Sequence, residues 1–261
     1  MEIRAEKISR QYHRQGRGTN VFTAVRETDL ILPAGKLIEV EGRSGSGKST
    51  LLNMMAGLLQ PTAGRVLLDG QDLYSMPDAA LARLRSRALG VIQQGQTGLS
   101  SLTVVENVLL PTMLYGMKGA GDPVKGPDIP LSAAGQGGDR ADAGTDGHGS
   151  SAPEKIRDRA LALLEAVGIA HLQNEWPDQL SGGEMRRLAI ARALIMNPGV
   201  VLADEPTADL DDENTKLVLS LLRRCADEGR AVLLVTHERE ASAYADEVYR
   251  MSDGVLALQP A

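Results

Sequence analysis

Aromatic side chains are almost missing from this 261-residue sequence: they make up 3% of it, with a single Phe and a single Trp. Carbohydrate sites and platforms for single-stranded nucleic acid rely on stacked rings, so the composition argues against both. A basic surplus is missing too. The 28 Lys and Arg residues are outnumbered by 34 Asp and Glu, and the net charge of −6 argues against a broad nucleic-acid footprint. The only cysteine, Cys225, cannot close an intrachain disulfide and fits a reducing compartment as a small buried side chain. No apolar run reaches the roughly 20 residues that span a bilayer. Residues 1–7 are not followed by the apolar segment of a secretory leader. Any membrane role is therefore expected to come through a partner. What is present is aliphatic: 43% hydrophobic residues over a length that suits one large α/β domain, or one domain with a subdomain.

The stretch Gly42-Arg43-Ser44-Gly45-Ser46-Gly47-Lys48-Ser49-Thr50 organises the rest. It reads G-x-x-x-x-G-K-S, the phosphate-binding loop. The glycines let the backbone turn tightly and approach a ligand, and successive N–H groups then form an anion-binding concavity. Lys48 supplies a positive charge for the β- and γ-phosphates, and Ser49 a hydroxyl for Mg²⁺. A short apolar strand (37–41) leads in and a helix (49–58) leads out, with its positive end toward the phosphates.

Residues 1–41 alternate in polarity and predict several short strands, with a polar turn over 13–20. Tyr12 reads either as an adenine-stacking ring or as a half-buried strand-end residue. Further strands are expected at 65–68 and 89–92, and helices at 78–88 and 101–117. Gln93 and Gln94 follow the 89–92 strand at its carboxyl end, where doubly wound sheets place ligand contacts; an amide there can reach a metal or a water, or simply face solvent. From 118 to 153 the character changes, with nine glycines and no aromatics. Such a segment buries too little surface to offset its ordering entropy and is expected to be an inserted, disordered loop, with His148 a solvated residue in it.

After a helix ending at Gly168 comes Leu180-Ser181-Gly182-Gly183-Glu184, where Ser181 and Glu184 form a capping box ahead of an apolar-periodic run. Glycines in that first turn leave backbone N–H groups open to a phosphate, or the stretch is a plain helix cap. Val200-Val201-Leu202-Ala203-Asp204-Glu205 reads as a buried parallel strand ending in two acids, which are costly there unless they serve a metal or a reaction. Asp204 is expected to hold Mg²⁺, directly or through water, and Glu205 to polarise the attacking water. Residues 208–211 are expected to open the next helix, with Asp211 in its first turn where negative charge is favoured, and a further helix to span 212–227. The strand 231–235 ends at Thr236-His237, and that histidine reads as a γ-phosphate contact or as a structural residue. A last helix (238–245) and a strand pair around 252–254 finish the chain.

In this order, the phosphate loop, strand-end Gln, L-S-G-G-E cap, Asp-Glu strand end and strand-end His resemble the ATP-binding-cassette (ABC) ATPases across the whole sequence except 118–153. The resemblance implies an α/β phosphate-loop NTPase core with a parallel sheet, an N-terminal antiparallel β subdomain and an α-helical subdomain at about 95–195, all in one ATP-binding domain over 1–261. It implies ATP and Mg²⁺ as ligands, with Ser49, Gln94 and Asp204 at the metal and Glu205, His237 and Gln94 in catalysis. Residues Ser181, Gly182, Gly183 and Glu184 would then bind the γ-phosphate held by a second protomer, with Asp211 in the loop crossing that interface and Tyr12 on the adenine. Glu184 departs from the commoner Gln. The runs 101–111 and 204–211 look like the branch serving macrolide export, lipoprotein release and antimicrobial-peptide resistance. That implies a homodimer at the cytoplasmic face of the membrane, driving a membrane permease with an extracytoplasmic domain, and no nucleic-acid partner. The competing readings are a non-transport ABC ATPase acting on a soluble machine such as the ribosome, a phosphate-loop kinase and a regulatory nucleotide-binding module.

Overall fold

The structure is a computed structural model, described here for residues 1–14, 20–95, 98–115 and 152–260. Most of the polar turn expected at 13–20 and of the insertion expected at 118–153, His148 included, lies outside these residues. In chain order the elements are β1 (Ile3–Arg14), β2 (Asn20–Leu32), β3 (Leu37–Glu41), α1 (Lys48–Met55), β4 (Ala63–Leu68), β5 (Gln71–Asp72), α2 (Asp78–Ala88), β6 (Leu89–Ile92), α3 (Val104–Tyr115), α4 (Ala152–Ala166), α5 (Gly182–Leu194), β7 (Val200–Asp204), α6 (Asp212–Asp227), β8 (Ala231–Thr236), β9 (Glu247–Ser252) and β10 (Val255–Leu258).

The strands form two sheets. An antiparallel sheet has the order β2-β1-β4-β5, and a six-stranded sheet the order β10-β9-β3-β8-β7-β6, parallel except for the β9–β10 pair at its edge. The mixed α/β class with an N-terminal antiparallel sheet is as expected. The several short strands expected in residues 1–41 are instead two long ones. Their ladder carries register shifts between Ala5 and Ile8, Ile8 and Arg10, and Arg10 and Gln11. Each bulge interrupts the polar–apolar alternation, so the sequence reads as broken pieces where the backbone is continuous. The closing helix expected at 238–245 is a tighter 3₁₀ segment, Arg239–Tyr244. The helix after the phosphate loop starts at Lys48 and stops at Met55, before Gly57 in the left-handed region (φ 66°).

Residues of β7 and β8 are buried on both faces and alternate between two cores. Val200, Leu202, Leu233 and Val235 face a core shared with α1, α2 and the antiparallel sheet. Val201, Ala203, Val232 and Leu234 face a core shared with α3, α4, α5 and α6. Strands buried on both sides read as continuous apolar runs, which is why they were visible in the sequence. The register aligns Asp204 with Val235 and Glu41 with Thr236, so β3, β7 and β8 end side by side.

Candidate active site

Those aligned carboxyl ends carry the site. The loop 42–47 leaves β3 and enters α1, wedged between β2 and β9. Gly47 sits at φ 110°, and a Cβ on it would lie 2.2 Å from the Ala24 carbonyl oxygen; a Cβ on Gly42 would lie 2.3 Å from that of Met251. Only glycine fits either approach. The loop is pinned by the Ser46 amide donating to Arg43 O at 3.2 Å and the Gly254 amide donating to Ser46 O at 3.0 Å. Lys48 is buried, and its Nζ donates to Gly42 O at 2.7 Å and Arg43 O at 3.3 Å, so the ammonium is held across the loop.

Asp204 ends β7, 5% exposed. Burial raises its carboxyl above the ordinary range; a hydrogen bond with the Ser49 hydroxyl works the other way, and the neighbouring Glu205 charge adds to the rise. Its Oδ1 is buried with no hydrogen-bond partner. An orphaned carboxylate oxygen beside a hydroxyl is a donor set suited to a hard cation such as Mg²⁺, which takes one or two protein oxygens and completes its shell with phosphate and water. No cluster of three or more metal-ligating His, Cys, Asp or Glu side chains occurs among the described residues, and a shell of that sparse kind needs none.

Glu205 follows in a left-handed backbone conformation (φ 49°), its amide donating to Val235 O on β8 at 2.8 Å. That turn lifts its side chain off the strand direction toward β8. There the Thr236 hydroxyl donates to Oε2 at 3.2 Å, and His237 Nδ1 lies 2.9 Å from the same oxygen. Lys48 Nζ is 3.9 Å from Oε1. The Arg186 guanidinium, on α5, donates to the Glu205 carbonyl.

A cleft of about 660 Å³ brings together Tyr12, Arg43, Ser44, Gly45, Gly47, Lys48, Ser49, Thr50, Gln94, Glu205 and His237, with Phe22 and Ala24. Ser46 belongs to the loop but its hydroxyl is buried beside Gly42, outside this cleft, and Asp204 lies beneath, against Ser49. Two predicted groups are elsewhere. Ser181, Gly182, Gly183 and Glu184 do not line this cleft. They open α5 with a reciprocal cap, in which the Glu184 amide donates to Ser181 Oγ at 3.3 Å while the Ser181 amide and hydroxyl donate to Glu184 Oε2 at 2.8 and 2.7 Å. The Ser181 hydroxyl first, then its amide, hold the Glu184 carboxyl below the usual range. Asp211 likewise caps α6, accepting from the Asn214 amide at 2.8 Å. The two caps are neighbours, because a Cβ on Gly183 would lie 3.0 Å from Leu210 Cδ2.

Three contributors were missed in the sequence: Phe22, Thr236 and Arg186. Phe22 is the sole phenylalanine and could have been singled out on that ground; Thr236 directly precedes His237; the Arg186 contact is long-range and leaves no local signal.

A family profile described as ABC transporter matches residues 25–208. Among curated relatives, the lipoprotein-releasing system ATP-binding protein LolD of Shewanella frigidimarina is 37% identical, over 97% of this chain and 91% of that protein. The macrolide export ATP-binding/permease protein MacB of Chlorobium luteolum is 34% identical over 92% of this chain, which corresponds to 31% of that longer protein. Among solved structures, the dimeric structure of MJ0796, a bacterial ABC transporter cassette, superposes with a TM-score of 0.80 at 28% identity over 99% of both chains. A post-hydrolysis state of the same cassette bound to ADP and Pi gives 0.79 at the same identity and coverage. Phosphate loop, strand-end acids and capped glycine pair thus fall into place together: this chain belongs to the ABC transporter family, as its ATP-binding and ATP-hydrolysing subunit.

Proposed function

We propose that two copies of this chain pack head to tail around two ATP molecules and drive a separate membrane permease. The observation that carries this reading is the separation of the two halves of the site. Phosphate loop, Glu205 and His237 share one cleft, whereas the open N-terminus of α5 at Ser181 lies outside it. A helix end with two glycines is built to receive a phosphate, so the phosphate it meets belongs to the other copy. In this reading Lys48 and the loop amides hold the β- and γ-phosphates, Tyr12 stacks on the base, and Ser181, Gly182, Gly183 and Glu184 close over the γ-phosphate from the second copy, with Asp211 beside them. Ser49, Asp204 and Gln94 would hold Mg²⁺, which, when bound, neutralises phosphate charge.

The chemistry assigned to the chain is water activation and charge stabilisation. Glu205 accepts the proton of the attacking water as general base, worth about 10²–10⁴ in rate. Thr236 and His237 fix the carboxylate's direction; with Nδ1 protonated, the imidazole donates to Glu205 and leaves Nε2 toward the cleft. Lys48 offsets the charge that develops on the transferring phosphoryl oxygens.

The permease contact is assigned to a groove of about 370 Å³ among α2, α3 and α5, whose lining combines apolar side chains such as Leu58, Leu110, Leu114 and Met196 with Arg85 and Arg192. Leu114 is 68% exposed and the adjacent Met113 is 64% exposed, an apolar rim that suits a short helix of a membrane protein. No helix among the described residues is long and apolar enough to cross a membrane. On its likeness to the LolD and MacB ATP-binding proteins, we infer that the subunit sits on the cytoplasmic face, held by a permease with an extracytoplasmic domain. We also read residues 1–261 as one ATP-binding domain whose helical part spans about 95–195.

The test uses Glu205→Gln protein. It should bind ATP as the parent does, hydrolyse it at least about 100-fold more slowly, and accumulate as a dimer with ATP in size-exclusion chromatography with light scattering. Copurification from solubilised membranes should yield a permease. Undiminished turnover would overturn the role of Glu205. Recovery of ribosomal proteins alone would replace the permease reading with that of an ATPase acting on a soluble machine.

A further inference from the structure

Arg10 and Tyr12 lie two apart on β1 and so share one face of the strand. The Arg10 guanidinium carbon sits 4.8 Å from the centroid of the Tyr12 ring. Its Nη1 is tied to the carbonyl oxygen of Gln60, beyond α1, at 2.9 Å. Its Nε is buried with no hydrogen-bond partner. A guanidinium that leaves one donor unmet is held where it is by its other contacts, here the ring and the Gln60 carbonyl. Tyr12 lines the nucleotide cleft and Arg10 does not, so the cation covers the ring from behind and the exposed part of the ring faces the cleft. The bulge between Arg10 and Gln11 sets this arrangement. Arg10 pairs with Val25 and Gln11 with Thr23, so Ala24 drops out of the ladder. Its carbonyl then abuts Gly47 of the phosphate loop, and Tyr12 comes into register with Phe22, the other ring of the cleft.

We propose that Arg10 is a positioning residue for the nucleobase. Its guanidinium, anchored on Gln60, pins one face of Tyr12 and presents the other, so that the base meets a ring already fixed in plane. This rests on the reading of Tyr12 as the base-stacking residue. The contribution comes from lost ring mobility and from the cation polarising the ring, and it concerns only ligands that carry a base. Arg10 touches neither phosphate nor reacting atoms.

The experiment measures half-saturation for ATP hydrolysis, and competition by inorganic tripolyphosphate, in the parent, Arg10→Met, Tyr12→Ala and the double variant. Methionine keeps an unbranched stem and removes the charge. Arg10→Met should raise half-saturation for ATP about two- to fivefold, leave kcat unchanged and leave tripolyphosphate competition unchanged. In the Tyr12→Ala background the same substitution should add nothing, because its only route to the base is the ring. Three results would overturn the proposal: an unchanged ATP half-saturation, an equal loss for tripolyphosphate, or a full additional loss in the Tyr12→Ala background. If Tyr12→Ala itself leaves ATP half-saturation unchanged, it is the stacking reading that fails. Arg10→Gln carries the same expectations, so the test stands if the methionine variant does not fold.

Discussion

Glu205 shows how little of a functional side chain's role is set by its identity. Its carboxylate is aimed at β8 because its backbone is left-handed (φ 49°) and its amide is tied to Val235; the sequence shows the acid but not the turn that aims it. Gly47 shows the reverse, a position whose residue type is dictated outright. Gly47→Ala should drive a methyl into the Ala24 carbonyl and force φ 110° on an L-residue, at about 1–3 kcal/mol of strain. ATP binding, followed by equilibrium dialysis, should be lost or strongly weakened, and the thermal midpoint should fall. What was legible at this scale was placement: Lys48, Ser49, Asp204, Glu205 and His237 were all singled out from local pattern, His237 with a structural role left open, and all but Asp204 line one cleft. Arg186 could not be named, because it reaches Glu205 from another element, and residue spacing carries no information about such a contact.

Among the elements, helix α5 is held at its start by the Ser181–Glu184 box. Ser181→Ala should cost about 1 kcal/mol, or about 2–4 °C in thermal midpoint for a chain of this size, besides any loss of dimer. Strand β9 is seated differently. Asp246, just before it, accepts from the Leu37 amide at 2.8 Å and from Arg223 of α6 at 2.7 Å, and so ties β3, α6 and β9 together. Burial alone would raise its carboxyl; the hydrogen bonds from Arg223, Leu37 and Lys36 overcome that and bring it down to about 2. A carboxyl held below its unfolded value stabilises the fold above that value, near 3.9, and the stabilisation is lost as pH falls from about 4 towards 2. Asp246→Asn should therefore cost about 1 kcal/mol at neutral pH after allowance for solvent screening and flatten the acid limb of a denaturation curve measured by circular dichroism. The buried strands β7 and β8 and the helix 212–227 were legible in the sequence because burial on both faces, or on one stripe, leaves a periodic signature. The strands β1 and β2 were not legible as units, because bulges at Ala5, Ile8 and Arg10 interrupt theirs.

At the level of the whole molecule, the loop proposed to hold the nucleotide is clamped between the two sheets, so nucleotide affinity should appear as stability of the entire chain. At 100 times Kd, ATP with Mg²⁺ should add about 2.7 kcal/mol, readable as a rise of several degrees in thermal midpoint. Asp204→Asn should reduce the part of that rise that depends on Mg²⁺. The alternation of β7 between two cores has a consequence for what this gene can tolerate. Because the side-chain period of a strand is two, removing a residue from the middle of β7, such as Leu202, would turn the residues on one side of the gap toward the opposite core or pull Asp204 and Glu205 out of line with Lys48 and His237. Aliphatic swaps in this strand should be nearly silent in a selection for transport, while single-codon deletions there should behave like truncations. The spelling of β7 is free within limits, and its length is not.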